Sequence, residues 1–201
     1  MGAALAVLVG VGVYGLLRGP ALAHESTRPA AAATPRPEFV PVAQPRPLPR
    51  SREPEAFARA AAAAMFGWDT RSSASSSEWG QVLVDAADAD EAAGLAADVR
   101  AYLPTIEQWE QLRTYGTRQW LTIDTAHVPD AWATAVTQAA PGQIPPGATA
   151  YTIVGVRHRA GTWADQPTRT ESRVTFTVFI ACADGEACRL LRFSRLDEPL
   201  E

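Results

Sequence analysis

Three histidines, two cysteines and a run of acids are the side chains whose types and spacing could do chemistry in this chain. His127 lies beside Asp124, Thr125 and Asp130, a set that could pass a proton between an imidazole and a carboxylate. A histidine among acids in a loop is more often a surface hydrogen-bonder, and that is the expectation. His158 falls between Arg157 and Arg159 at an expected strand end, so solvent exposure is expected. Asp85, Asp88, Asp90 and Glu91 resemble a calcium-loop fragment, yet the glycine and terminal glutamate are missing at the required spacing. A helix-capping acidic loop is the better reading. The chain holds no G-x-S-x-G elbow, no H-E-x-x-H and no Walker loop. The spacings of His24, His127, His158, Cys182 and Cys188 match no zinc-finger pattern. No catalytic, cofactor-binding or metal-ligating residue is therefore assigned.

Cys182 and Cys188 flank Ala183-Asp184-Gly185-Glu186-Ala187, and Asp-Gly is a strong turn signal. Strands that end at Cys182 and resume at Cys188 would face the two residues across a hairpin mouth. A structural disulfide is expected there. A free buried thiol pair and a redox pair are the alternatives, the latter weak because reactive pairs usually sit as C-x-x-C at a helix N-terminus.

Six tryptophans, Trp68, Trp79, Trp109, Trp120, Trp132 and Trp163, could line a pocket, but large aromatics at amphipathic positions are usually core. Trp163 is the exception. It lies in the polar loop AGTWADQPT, where an exposed indole is a candidate interface anchor.

The elements that position these residues follow from periodicity. Pro54 opens a helix, PEAFARAAAAAMF, that Gly67 ends. Serines 72 to 77 form a loop and cap a helix from Glu78, with a break near Asp88 to Asp90 and Asp90 as the expected cap of the next. Pro104 starts a third short helix, TIEQWEQLRTYG, with Thr105 near its start and Gly116 past its end. Period-two alternation then begins: RQWLTIDTAHV, TAYTIVGVRHRAG, ESRVTFTVFIAC and CRLLRFSRL, with a short helix PDAWATAVTQAA after the first. Helices first and strands afterwards predict an α+β fold, with N-terminal helices packed on a curved antiparallel sheet.

Three unlike segments make up the 201 residues. Residues 1–19 hold an uncharged apolar run, GAALAVLVGVGVYGLL, slightly short of the ~20 residues a membrane span needs. It reads as a transmembrane anchor, or as a signal peptide cleaved after Ala23. No basic residue precedes it, so a true start upstream of Met1 is expected. Residues 20–53 are a Pro-rich, polyproline-II-biased linker, and residues 54–201 an extracytoplasmic domain. Residues 1–54 carry six Arg against three acids, and residues 55–201 carry 12 Arg against 19 acids. A basic tether thus precedes an acidic head, and the net charge of -4 argues against direct nucleic-acid binding. All 18 basic residues are arginine, an actinobacteria-like composition of a GC-rich genome.

The span at 2 to 17, the linker at 20 to 54, the helices from Pro54 to about Arg113 and the four alternating segments together resemble one family. This layout is similar to the bitopic inner-membrane assembly components of type IV secretion and conjugation systems, TcpC-like proteins included. The resemblance is one of architecture, and the chain departs from the family in lacking a basic cytoplasmic tail. It implies a nuclear transport factor 2-like (cystatin-like) domain, held at the cell membrane by one pass, that scaffolds a channel through other membrane-bound secretion components. It implies no catalysis and no cofactor, and homo-oligomerisation stays open. Two further classes remain: an exported ligand-binding accessory module of a lipid or solute uptake system, and an isomerase- or dehydratase-like enzyme. The expected inward-facing Val, Ile, Phe and Leu speak against the enzyme.

Overall fold

The computed structural model describes residues 41–201. The apolar run, the possible cleavage site and residues 20–40 of the linker lie outside the described residues. No helix among the described residues is long and apolar enough to cross a membrane.

The chain enters as extended segments without helix or strand until α1, Pro54–Phe66. Proline in its first turn loses no hydrogen bond, and an alanine-rich sequence pays little entropy to stay helical. Then come β1 (Trp68–Asp69), α2 (Ser76–Val84), α3 (Ala92–Tyr102) and α4 (Ile106–Thr114). Ser75 and Thr105 each cap a helix with a reciprocal box, Ser75 with Glu78 and Thr105 with Gln108. The expected Asp90 cap is not used: Glu91 occupies the N-cap of α3 without a side-chain bond, while Asp88 accepts the Asp90 amide. β2 (Arg118–His127), α5 (Ala131–Gln138), β3 (Ala148–Trp163), β4 (Gln166–Ala181) and β5 (Arg189–Phe193) complete the chain.

The fold is α+β, as the order of elements predicts. The five strands form one curled antiparallel sheet in the order β1-β2-β3-β4-β5. Alternation along β3 and β4 sends Ile153, Val174, Phe176 and Val178 to the concave face, where Phe57, Ala61, Met65 and Phe66 of α1 meet them. These side chains are essentially dry, and each large one contributes roughly 1.5–3 kcal/mol by leaving water. Strand β5 breaks strict alternation. Its register shifts opposite Phe179/Ile180, so Leu190 and Phe193 both reach the core while Leu191 is buried outside that cluster.

Residues 41–53 belong to the same compact unit as the domain. Leu48 packs against the core, the Ala43 amide donates to Asp69, and the Ser51 carbonyl accepts the Cys188 amide at 2.8 Å. Cys182 and Cys188 are disulfide-bonded. Gly147 sits against them with φ +71°, its carbonyl accepting the Cys182 amide; a Cβ there would lie 2.3 Å from the Cys182 carbonyl oxygen.

Candidate functional site

β3 and β4 are each 16 residues long, and their last turns outrun the rest of the sheet. β2 pairs β3 only from Thr152 to Ala160, so Gly161–Trp163 and their partners Gln166–Thr168 project as a two-stranded hairpin. Its turn is Ala164-Asp165, both at positive φ, the conformation of the tight turn that suits twisted strands. Neither turn residue is a glycine, so AGTWADQPT reads as a loop although it is the tip of a hairpin.

Trp163 is therefore the last residue of a strand rather than a loop residue. It is 62% exposed and packs against Tyr115 just after α4, ring centroids 5.1 Å apart and planes tilted by 40°. Together with Leu112, Thr117, Arg159, Gly161, Thr168 and Thr170, these rings line an open groove of about 210 Å³ on the concave side.

Two arginines lie on that same concave side, behind the rings. Arg157 donates its Nε–H to the Ser172 hydroxyl on β4 at 3.1 Å, and Arg159 donates its own to Gln119 Oε1 on β2 at 2.7 Å. Gln119 in turn donates to the carbonyl of Phe66, the last residue of α1. The Arg159 guanidinium also lies 5.5 Å over the Trp68 ring. Burial and the neighbouring charge of Arg157 both hold the Arg159 pKa below its usual value. Neither arginine has a carboxylate within ion-pair distance among the described residues, whereas Arg71, Arg173 and Arg192 do.

The convex side carries a second cluster. His158 lies in mid-strand, not at a strand end, and its side chain is only 14% exposed. It stacks flat on Trp120 with 5.0 Å between centroids. A carboxylate only accepts, so His158 Nδ1–H donates to Glu171 at 3.0 Å, and Nε2 meets the Thr122 hydroxyl at 3.0 Å. The guanidinium groups of Arg118 and Arg169 sit 4.6 Å and 5.0 Å from the Trp120 ring centre. Hydroxyl, imidazole and carboxylate stand in the order of a nucleophile and its base. Thr122 is exposed to open solvent, however, and the set extends along paired strands, which makes it a cross-strand polar ladder.

No family model, curated protein or solved structure matches this chain. The site therefore stands on its own geometry.

The remaining candidates are scattered. Asp124 is the bulged residue of β2 and pairs with Arg173 at 3.3 Å, Asp130 is the N-cap of α5, and His127 is exposed at the end of β2. Asp85 caps the C-terminus of α2 and accepts from Gln81, and Glu91 lies 3.8 Å from Arg192. No group of three His, Cys, Asp or Glu able to hold a metal lies among the described residues. Trp68, Trp79 and Trp109 form a buried cluster, while Trp120 and Trp132 are half-buried. Cys182 and Cys188 close the end of β4 opposite Trp163. Sequence reasoning passed over Tyr115, Trp120, Arg157, Arg159 and Glu171 as site residues. Strand alternation gives Trp120, Arg157, Arg159 and Glu171 their faces, but only the register of β2, β3 and β4 gathers Trp120 and Glu171 on one face and the two arginines on the other.

Proposed function

We propose that this chain is a membrane-tethered extracytoplasmic scaffold, a component of a conjugative type IV secretion channel that works by protein-protein contacts without catalysis. The nuclear transport factor 2-like assignment belongs to the same proposal. The packing of α1, α2 and α3 on the concave face of a curled antiparallel sheet supports that assignment. The observation that carries the reading is Trp163, which is held out on a projecting hairpin and braced by Tyr115. A large exposed indole with a rigid backing suits a protein anchor, because it offers contact area at little entropic cost. Tested in its host, a clean deletion abolishes DNA transfer, wild-type chain restores it, and Trp163→Ala at equal abundance does not. The full chain co-purifies with other channel components. Normal transfer in the deletion strain ends this reading.

One observation favours an exported ligand-binding module instead: the groove between Tyr115, Arg159 and Trp163 has the form of a small-molecule cleft. Native mass spectrometry of the purified chain separates the two, since a retained small molecule would favour the module.

A further inference from the structure

The backbone of β4 is satisfied along its full length on one side only. Along its whole length β4 pairs with β3, but β5 covers it only from Val178 to Ala181. Beyond β5 the chain still serves Thr177 and Thr175, whose carbonyls accept the amides of Ser194 and Asp197. Peptide groups alternate sides along a strand, so Arg173, Glu171 and Arg169 also turn their N–H and C=O groups to that edge, with the carbonyl of Pro167. Past Asp197 no described residue takes them up. A run of seven residues, 167 to 173, is thus an open sheet edge.

Such edges are normally blunted by proline and charge, and this one has both. Its charge is also one-sided. Residues 157–173 hold four Arg against Asp165 and Glu171, while residues 55–201 as a whole hold 12 Arg against 19 acids. Arg157 leans toward the edge through Ser172 on the concave side, and on the convex side Arg169 has, among the described residues, only the Trp120 ring as partner. Their terminal nitrogens bond to no described protein group. A strand laid along the edge would meet cations on both of its faces. A second copy of the same edge would bring cation against cation.

We propose that the edge of β4 from Pro167 to Arg173 takes up an extended, acidic segment of a partner protein as an added strand. This rests on the scaffold reading and names the chemistry of its partner. Backbone pairing supplies the affinity, Arg157 and Arg169 select carboxylates on the two faces, and Trp163 anchors the flank.

The test uses the full chain in detergent and a capped peptide of about ten residues repeating Thr-Thr-Glu-Glu, which puts carboxylates on both faces and is long enough to span the edge. The peptide slows amide exchange at Arg169, Glu171 and Arg173 by about tenfold or more, and leaves Thr168, Thr170 and Ser172 as they were, because those already bond to β3. The equivalent Thr-Lys peptide does nothing. Arg169→Gln weakens binding by about two- to fivefold, the loss of one exposed charge pair. Arg169→Pro abolishes it, since the ring removes an edge donor. Three results overturn the proposal: no slowing in the wild-type chain, equal slowing with the Lys peptide, or concentration-dependent slowing without peptide, which assigns the edge to a second copy. None of these depends on a variant folding. If exchange is unmoved while Trp163→Ala still blocks DNA transfer, the edge proposal falls and the scaffold reading stands. Slowed exchange with normal transfer by Trp163→Ala is the reverse.

Discussion

Arg159 gives its Nε–H to Gln119 at 2.7 Å, and through that one side chain the inner of the two concave arginines is tied to the C-terminus of α1. Gln119 is buried between a charged donor and the Phe66 carbonyl. It fixes where Arg159 points, and so the floor of the groove below Trp163.

Gln119→Leu removes both bonds and keeps the bulk. The Phe66 carbonyl then loses a donor and Arg159 an acceptor, so a loss of about 1–3 kcal/mol is expected, read as a lower urea midpoint at unchanged slope. An unchanged midpoint would show that solvent replaces Gln119 without cost.

Asp69 sets the acid limit. Its side chain is 2% exposed, and burial alone would raise its pKa, but Arg71, the Arg71 amide and the Ala43 amide outweigh burial and hold it below the usual carboxylate value. The folded state then binds fewer protons than the unfolded chain as pH falls below about 4, so stability is full above that value and lost through the folded pKa. Asp69→Asn destabilises by about 1.5–3 kcal/mol at neutral pH and flattens this acid slope. Denaturant melts at stepped pH measure both.

Tyr102 works in the opposite direction. Burial first, then Asp98 and Asp197, push its pKa up, and its hydroxyl donates to the Ser194 carbonyl at 2.7 Å. The folded chain keeps this proton when the unfolded chain loses it above about pH 10, so stability present below that pH declines as pH rises. Tyr102→Phe costs about 0.5–1.5 kcal/mol at neutral pH and removes the alkaline decline. A variant that keeps the same alkaline slope would assign it to another group.

Reduction of Cys182–Cys188, or Cys182→Ser with Cys188→Ser, reopens a short loop. A loss of about 2–3 kcal/mol follows from chain entropy. Thermal melts with and without reductant test it.

The helices and strands were legible because their signals are local: Pro54 at a start, Ser75 and Thr105 at caps, and alternation along Val174, Phe176, Val178 and Ile180. The disulfide was legible too, since Asp184-Gly185 marks a turn between strands. What escaped is non-local or atypical. The hairpin tip at Ala164-Asp165 adopts positive φ without glycine, so nothing announced it. The two-residue β1 is too short for any period, and Asp124 and Leu191 are bulged residues that reset alternation. His158 looked like a charged strand end because its partners, Trp120 and Glu171, lie on other strands. The open edge of β4 depends on where β5 stops, which no pattern within β4 records.

The bond from Cys188 to Ser51 also has a mechanical meaning. Ala43, Leu48 and Ser51 grip Asp69, the core and the bridged loop before the chain reaches Pro54. Tension drawn along the chain from Pro41 is therefore shared among these grips instead of unwinding α1 from its first turn. The last grip ends on a loop whose covalent closure keeps it from paying out. The approach to α1 is thus held at three points ahead of its first turn.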